Sequence, residues 1–178
     1  YPYARPNVTN GDILAVKKSL TGQFLTGGSI IRSFEKQLSK QFDVKNTIVC
    51  NSGTAALHLI YMSLGLQKGE LILTSPITFV ATANAALMCG AKVILADVDP
   101  MTGMLTPESI EVTLKKSRKK VKIITLVHIG GRVSDLEGIA KVAKKHNIFL
   151  VEDACHAPGA KYFNHNNKIS NIGSCKYS

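Results

Sequence analysis

The sequence predicts an α/β protein in three layers, a mostly parallel sheet with helices on both faces. Three observations predict it. Short apolar runs with strand character alternate with helix-length amphipathic segments, the connections between them are short, and the chemically unusual residues cluster just after the apolar runs. Alternation of this kind builds a parallel sheet, and ligands on such sheets sit at the carboxyl ends of the strands.

In order along the chain, residues 12–20 read as a helix, 21–29 as a loop rich in Gly and Thr, and 31–42 as helical again. The strands fall at residues 47–50, 71–74, 92–97, 122–127 and 148–151, and the helices at 53–64, 79–89, 107–116 and 136–146. No internal repeat, low-complexity tract or linker interrupts them, so the chain is one domain or part of one.

Composition narrows the function classes. A chain of 178 residues with 45% hydrophobic and 19% charged residues is globular rather than disordered, and at this size about 70% of the unfolded surface is buried on folding. No apolar run approaches the ~20 residues of a membrane helix, and Tyr1-Pro2-Tyr3-Ala4-Arg5-Pro6 lacks the apolar core of a signal peptide, so no membrane association and a cytoplasmic location are expected. Cys50, Cys89, Cys155 and Cys175 show no paired short spacing, which indicates reduced thiols in the core or near a site rather than a zinc site or disulfides.

The net charge of +10 is densest in Lys115-Lys116-Ser117-Arg118-Lys119-Lys120-Val121-Lys122. Cations there suit the carboxyl end of a solvated helix, and no aromatic residue is interleaved to stack on bases, so nucleic acid is not the expected partner.

The chemistry begins at Val151-Glu152-Asp153-Ala154-Cys155-His156, an apolar strand ending in two carboxylates and a histidine. A buried Asp at a strand end needs a cationic partner, and the protonated pyridine nitrogen of pyridoxal phosphate (PLP) is one. Metal binding by Asp153, Cys155 and His156, or by Glu152 with them, is the competing reading. Consecutive strand residues point to opposite faces and make a poor metal shell, so no metal is expected; a purely structural acid is the other alternative.

At Asn51-Ser52-Gly53-Thr54-Ala55-Ala56-Leu57-His58 a strand turns through small residues into a helix. Its free N–H groups, the helix dipole and the Thr54 hydroxyl can converge on a phosphate, although a plain helix cap at Ser52 or Thr54 explains the same residues. The stretch Thr74-Ser75-Pro76-Ile77-Thr78-Phe79 repeats the strand-to-helix turn and offers Phe79 either as a core residue or as a ring to stack on a flat cofactor. His128, at another strand end before Gly130-Gly131, reads as a hydrogen-bonding rather than a catalytic histidine, while His58, His146 and His165 suggest surface or packing roles.

These elements in this order resemble the DegT (DegT/DnrJ/StrS) family of PLP-dependent nucleotide-sugar aminotransferases. The likeness covers nearly all of the chain and includes Phe24-Leu25-Thr26-Gly27 with Phe34-Glu35, the segment from Ser52 to His58, Ser75-Pro76-Ile77-Thr78-Phe79-Val80-Ala81-Thr82, Asp97-Val98-Asp99-Pro100 with Thr102-Gly103, and Glu152-Asp153-Ala154. The resemblance implies the large domain of the aspartate-aminotransferase-like fold (PLP fold type I), with residues 1–178 supplying an N-terminal segment and most of that domain. It implies that Gly53, Thr54 and Ala55 hold the cofactor phosphate, that Phe79 stacks on its ring, that Asp153 pairs with its pyridine nitrogen, and that His156 stands by its phenolic oxygen where many members have glutamine. Tyr3, Gln23, Phe24, Leu25 and Thr26 match positions lining the sugar-nucleotide side. The implied reaction moves an amino group, usually from glutamate, to a keto carbon of a nucleotide-linked deoxysugar, as in cell-surface polysaccharide synthesis, within a homodimer.

The sequence departs from the family in three respects. Members carry the Schiff-base lysine in a Ser-Phe-His-rich segment after the Asp153 strand, and none of Lys161, Lys168 and Lys176 lies in such a segment. The lysine, the remaining large-domain strands and a small C-terminal domain are therefore expected beyond Ser178, leaving this chain inactive alone and prone to self-association through uncovered apolar surface. Gly28 stands in a loop that often reads Gln-Gly-Pro, and Arg132-Val133 replaces a common Gln-Pro. The alternatives are a non-catalytic PLP or nucleotide-sugar binding module or gene remnant, and a basic interaction protein working through residues 115–122.

Overall fold

The computed structural model describes residues 5–22, 24–174 and 176–178. Helix α1 (Asn10–Leu20) begins two residues earlier than its apolar spacing suggests. Thr9 closes a capping box there: its hydroxyl accepts from the Asp12 N–H, and the Asp12 carboxylate accepts from the Thr9 N–H at 2.7 Å. Helix α2 (Gly28–Phe42) ends at Asp43 in the left-handed conformation. Neither helix buries a residue within the chain.

Residues 47–50, expected as a strand, are not one. A strand is defined by its ladder, and among the described residues no neighbour pairs with this segment; the Val49 N–H donates instead to Glu35 Oε1 at 3.1 Å. The other expected strands form, β1 (Leu71–Thr74) as expected and β2 (Lys92–Leu95), β3 (Val121–Val127) and β4 (Phe149–Asp153) with shifted ends. Between them lie α3 (Gly53–Ser63), α4 (Ala81–Met88), α5 (Pro107–Lys116) and α6 (Leu136–His146). Thr106 caps α5 with proline at its first turn, and Asp135 caps α6 through a 2.9 Å bond from the Gly138 N–H. A two-stranded antiparallel hairpin of β5 (Lys161–Phe163) and β6 (Ile169–Asn171), not foreseen from periodicity, follows β4.

All pairs in the main sheet are parallel, in the order β2-β1-β3-β4. From β1 the chain runs outward to β2, then returns past β1 to β3 and β4, so the direction of winding reverses between β1 and β3. A crevice opens at that reversal, at the carboxyl ends of the strands.

Alternation along the strands sorts the core onto two faces. Ile72, Ile123 and Val151 meet Leu57 and Tyr61 of α3 and Ala81, Ala85 and Ala86 of α4. Leu73, Ile124, Leu126 and Leu150 meet Ile110 of α5 and Leu136 and Ile139 of α6. Both faces are thus covered, and each fully buried aliphatic side chain contributes about 1.5–3 kcal/mol by leaving water. Of the basic run, Lys122 is engaged rather than free, its ammonium 2.8 Å from Glu70. Among the described residues no helix is long and apolar enough to cross a membrane, and no group of three His, Cys, Asp or Glu side chains is placed to hold a metal ion.

Candidate active site

A cavity of about 340 Å³ occupies the crevice at the winding reversal. Its walls come from the start of α3 (Ser52, Gly53, Thr54), from Phe79 before α4, from Val127 at the end of β3, and from Asp153, Cys155 and His156 at the end of β4. Five of the six cofactor residues expected from sequence therefore meet in one place.

Parity places Asp153. It shares a face with Val151, the α3–α4 side, whereas Glu152 faces α5–α6. The Asp153 side chain is buried; its Oδ2 accepts from the Thr82 hydroxyl and its Oδ1 from the Cys155 N–H, both at 3.2 Å. No cationic side chain pairs with it among the described residues. A buried carboxylate without a cation at a cavity wall is the donor set of a site that accepts a positively charged group.

Across the cavity, Ser52 caps α3, its hydroxyl accepting from the Ala55 N–H at 3.2 Å. This separates Ala55 from its expected neighbours: its N–H is committed to the cap and it does not line the cavity. The N–H groups of Gly53 and Thr54 precede the first intrahelical bond and stay available, at the positive end of the helix. Gly53 is a cradle that a side chain would fill, since a Cβ there would lie 3.0 Å from Cys155 Sγ. Burial, and then the Asp153 carboxylate, pushes the Cys155 thiol up to about 11.

Phe79 is 69% exposed, so it is not a core residue; its ring lies along the cavity. His156 accepts at Nδ1 from the Gly130 N–H at 3.3 Å, which leaves the proton on Nε2 as a donor. Phe24, Leu25 and Thr26 are exposed and do not line the cavity, and Tyr3 and Gln23 lie outside the described residues. Among the described residues no lysine lines the cavity, neither Lys161 nor Lys168. Sequence reading gave no cofactor role to Cys155 or Ser52, whose proximity to Gly53 depends on how α3 docks beside β4.

Beneath the floor runs a buried polar chain. The Tyr61 hydroxyl donates to the Thr82 carbonyl at 3.2 Å and lies 2.9 Å from the Thr125 hydroxyl, while the hydroxyls of Thr78 and Thr82 are 2.7 Å apart. The chain ends on Asp153 through Thr82.

Known proteins resemble this chain in sequence and fold. A UDP-4-amino-4,6-dideoxy-N-acetyl-beta-L-altrosamine transaminase of Campylobacter jejuni (strain 81-176) is 41% identical over 160 residues, which span 90% of this chain and 42% of the relative. The structure of Helicobacter pylori PseC, an aminotransferase involved in the biosynthesis of pseudoaminic acid, superposes with a TM-score of 0.85 at 28% identity, over 97% of this chain and 44% of that one. NtdA from Bacillus subtilis, solved with bound cofactor PMP, superposes with a TM-score of 0.75 at 31% identity, over 83% of this chain and 34% of that one. The chain thus spans less than half the length of the relatives it matches. Residues 6–177 match the DegT/DnrJ/EryC1/StrS aminotransferase family, and the chain belongs to that family.

Proposed function

We propose that this chain builds the pyridoxal-phosphate site of an aminotransferase that moves an amino group, taken from glutamate, to a keto carbon of a nucleotide-linked deoxysugar. The observation that carries the reading is Asp153, a buried carboxylate with no cationic partner among the described residues, facing the cavity opposite the open start of α3.

The residues fit the group. The N–H groups of Gly53 and Thr54, with the Thr54 hydroxyl, would receive the phosphate at the helix N-terminus. Asp153 would hold the pyridine nitrogen protonated. Phe79 would cover one face of the ring, and the His156 Nε2–H would donate to the phenolic oxygen. When bound, the cofactor supplies an electron sink conjugated to the alpha carbon of the amine. The pair Asp153 and Thr82 keeps that end of the cavity charged and oriented, and the apolar walls, Leu57 and Val127 among them, exclude water.

The sugar nature of the acceptor is supported by the names of the relatives in C. jejuni and H. pylori. Tyr3, Gln23, Phe24, Leu25 and Thr26 are proposed for the sugar-nucleotide side, and the lysine that carries the cofactor is proposed to lie outside these 178 residues. The assembly is proposed to be a homodimer in the cytoplasm.

The test is a titration with PLP followed by absorbance and by quenching of tyrosine fluorescence, with wild type and Asp153→Ala compared. Saturable binding that Asp153→Ala abolishes is expected; binding unaffected by that change overturns the assignment of Asp153. Amino transfer is read in the polypeptide encoded by the whole reading frame, with glutamate and a nucleotide-linked keto sugar.

A further inference from the structure

Glu152 and Asp153 are neighbours in β4 and present their carboxylates to opposite faces. Asp153 belongs to the cavity. Glu152, on the other face, meets His128, with Glu152 Oε2 3.0 Å from His128 Nε2 and side-chain exposures of 8% and 0%.

His128 stands where β3 ends, and the three residues from it grip the exit of β4 at successive points. Its backbone N–H donates to the Asp153 carbonyl at 3.0 Å, its ring holds Glu152, and two residues on, the Gly130 N–H donates to His156 Nδ1 at 3.3 Å. Gly131 packs there as well; a Cβ on it would lie 3.4 Å from the His156 carbonyl oxygen.

The other ring nitrogen decides what the histidine is for. His128 Nδ1 is buried and has no hydrogen-bond partner. A residue retained only to fill space would be better served by an apolar side chain of similar size, which buries no unsatisfied nitrogen. The histidine is therefore accounted for by the bond that Nε2 makes.

Building on the cofactor reading above, we infer that His128 is a positioning residue. Through Glu152 it sets the direction in which β4 leaves the sheet, and so holds the Asp153 carboxylate and the His156 ring toward the cofactor. The active-site acid and its neighbour in sequence thus divide the work: one carboxylate faces the ligand, and the other, turned away, anchors the strand that carries the first.

Amide side chains separate this role from simple packing, because the glutamine amide reaches the place of Nε2 and the asparagine amide reaches only that of Nδ1. In the 178-residue chain, hydrogen exchange of the Gly130 amide and the 15N shift of His156 Nδ1 are followed without cofactor, and the Kd for PLP is measured separately. His128→Asn should weaken PLP binding and speed Gly130 exchange roughly tenfold, as expected for loss of a hydrogen bond to a charged group, with the His156 shift moved, while His128→Gln stays within about threefold of wild type.

Unchanged Gly130 exchange and Kd in a folded His128→Asn variant, or equal damage from Asn and Gln, would overturn the inference. Should His128→Asn fail to fold, the comparison is made from the other side: Glu152→Gln, which still accepts from the ring, should keep both readouts, and Glu152→Ala should lose both. Should the wild type bind no PLP, the cofactor reading fails by itself. Gly130 exchange and the His156 shift then still decide whether His128 positions the strand exit.

Discussion

The Thr82 hydroxyl lies 3.2 Å from Asp153 Oδ2 and joins residues 71 apart in sequence, both of them buried. A carboxylate only accepts, so Thr82 gives its one proton to Asp153. The Thr78 hydroxyl, 2.7 Å from Thr82 and 3.2 Å from the Phe79 carbonyl, divides its one proton between those two acceptors. Thr82→Val keeps the shape and removes the donor, leaving a buried carboxylate one bond short. It should cost about 1–3 kcal/mol in denaturant unfolding, with Thr82→Ser recovering most of the loss. A valine variant as stable as wild type would show that Asp153 does not depend on this bond.

The thiol of Cys155 gives a chemical readout of Asp153. Although Cys155 is exposed as a residue, partial burial of its thiol first, then the hydrogen bond and charge of Asp153, raises it from 9.0 to about 11. The folded thiol thus stays protonated while an unfolded one ionises near 9, and the stability it contributes is lost as pH rises from about 9 toward 11. At pH 8, alkylation by iodoacetamide, followed by peptide mass mapping, should be slow at Cys155. Asp153→Asn removes one of the causes of the rise, so it should increase the thiolate fraction and speed the reaction. An unchanged rate would mean that the carboxylate and the thiol do not interact.

The site was more legible than its supports. The runs at residues 71–74 and 107–116 match β1 and α5 end to end, because periodicity, a capping threonine and a proline at the first turn agree locally. Residues 47–50 have strand composition but no ladder, and a ladder is a property of two segments. Of the residues expected at the cofactor, Phe79, Asp153 and His156 were readable because they lie at or just after the carboxyl ends of parallel strands, which come together in any such sheet, whereas Gly53 and Thr54 were readable from the small-residue helix start alone. The bond between Glu152 and His128 was not readable: it requires the register of β3 against β4, in which Leu126 faces Glu152 and Val127 faces Asp153. Phe79, more often core by its residue type, is exposed because residues 76–80 turn outward before α4 begins.

Tyr61 should couple stability to alkaline pH. It is wholly buried, and burial, its largest cause, raises its phenol from 10.0 to about 12. Tyr61→Phe removes the bonds to Thr82 and Thr125 and should cost about 1–2 kcal/mol at pH 8. An unfolded tyrosine ionises near 10, so wild type carries a loss of stability as pH climbs from 10 toward 12 that Tyr61→Phe lacks. At pH 11 the gap between the two proteins should therefore shrink by about 1.4 kcal/mol, as measured by urea unfolding at both pH values. A gap that stays constant would show the phenol to be free to ionise in the folded state.

Helices α1 and α2 bury nothing within the chain, yet Leu14 is 65% and Phe34 51% exposed, with Ile13, Val16 and Ile30 beside them. Exposed apolar surface on two adjacent segments of sequence should drive self-association. Light scattering should show a mass that rises with concentration, and Leu14→Glu with Phe34→Glu should shift the protein toward monomer. A monomer at high concentration in the wild type would remove the case for these helices as a contact between copies.

Gly53 and Cys155 meet where the start of α3 passes the exit of β4, and the missing side chain of the glycine is what lets them meet. A Cβ at position 53, 3.0 Å from Sγ, is tighter than nearly all real carbon contacts, so the thiol or the helix start must give by a few tenths of an ångström. Rotation of the thiol costs little in itself, but it gives up the hydrogen bond between the thiol and the Asp153 carboxylate. Movement of the helix start instead shifts the N–H groups of Gly53 and Thr54 away from the cavity. Gly53→Ala should therefore weaken PLP binding several-fold, about 1 kcal/mol, with little change in helix content, since alanine is the better helix former. Cys155→Ala removes the atom that collides, so the double variant should bind close to wild type. A double-mutant cycle measures this directly, and the expected coupling is of the same size as the single loss. Purely additive effects would mean that Gly53 is required for the open backbone it offers the phosphate and not for the approach of α3 to β4.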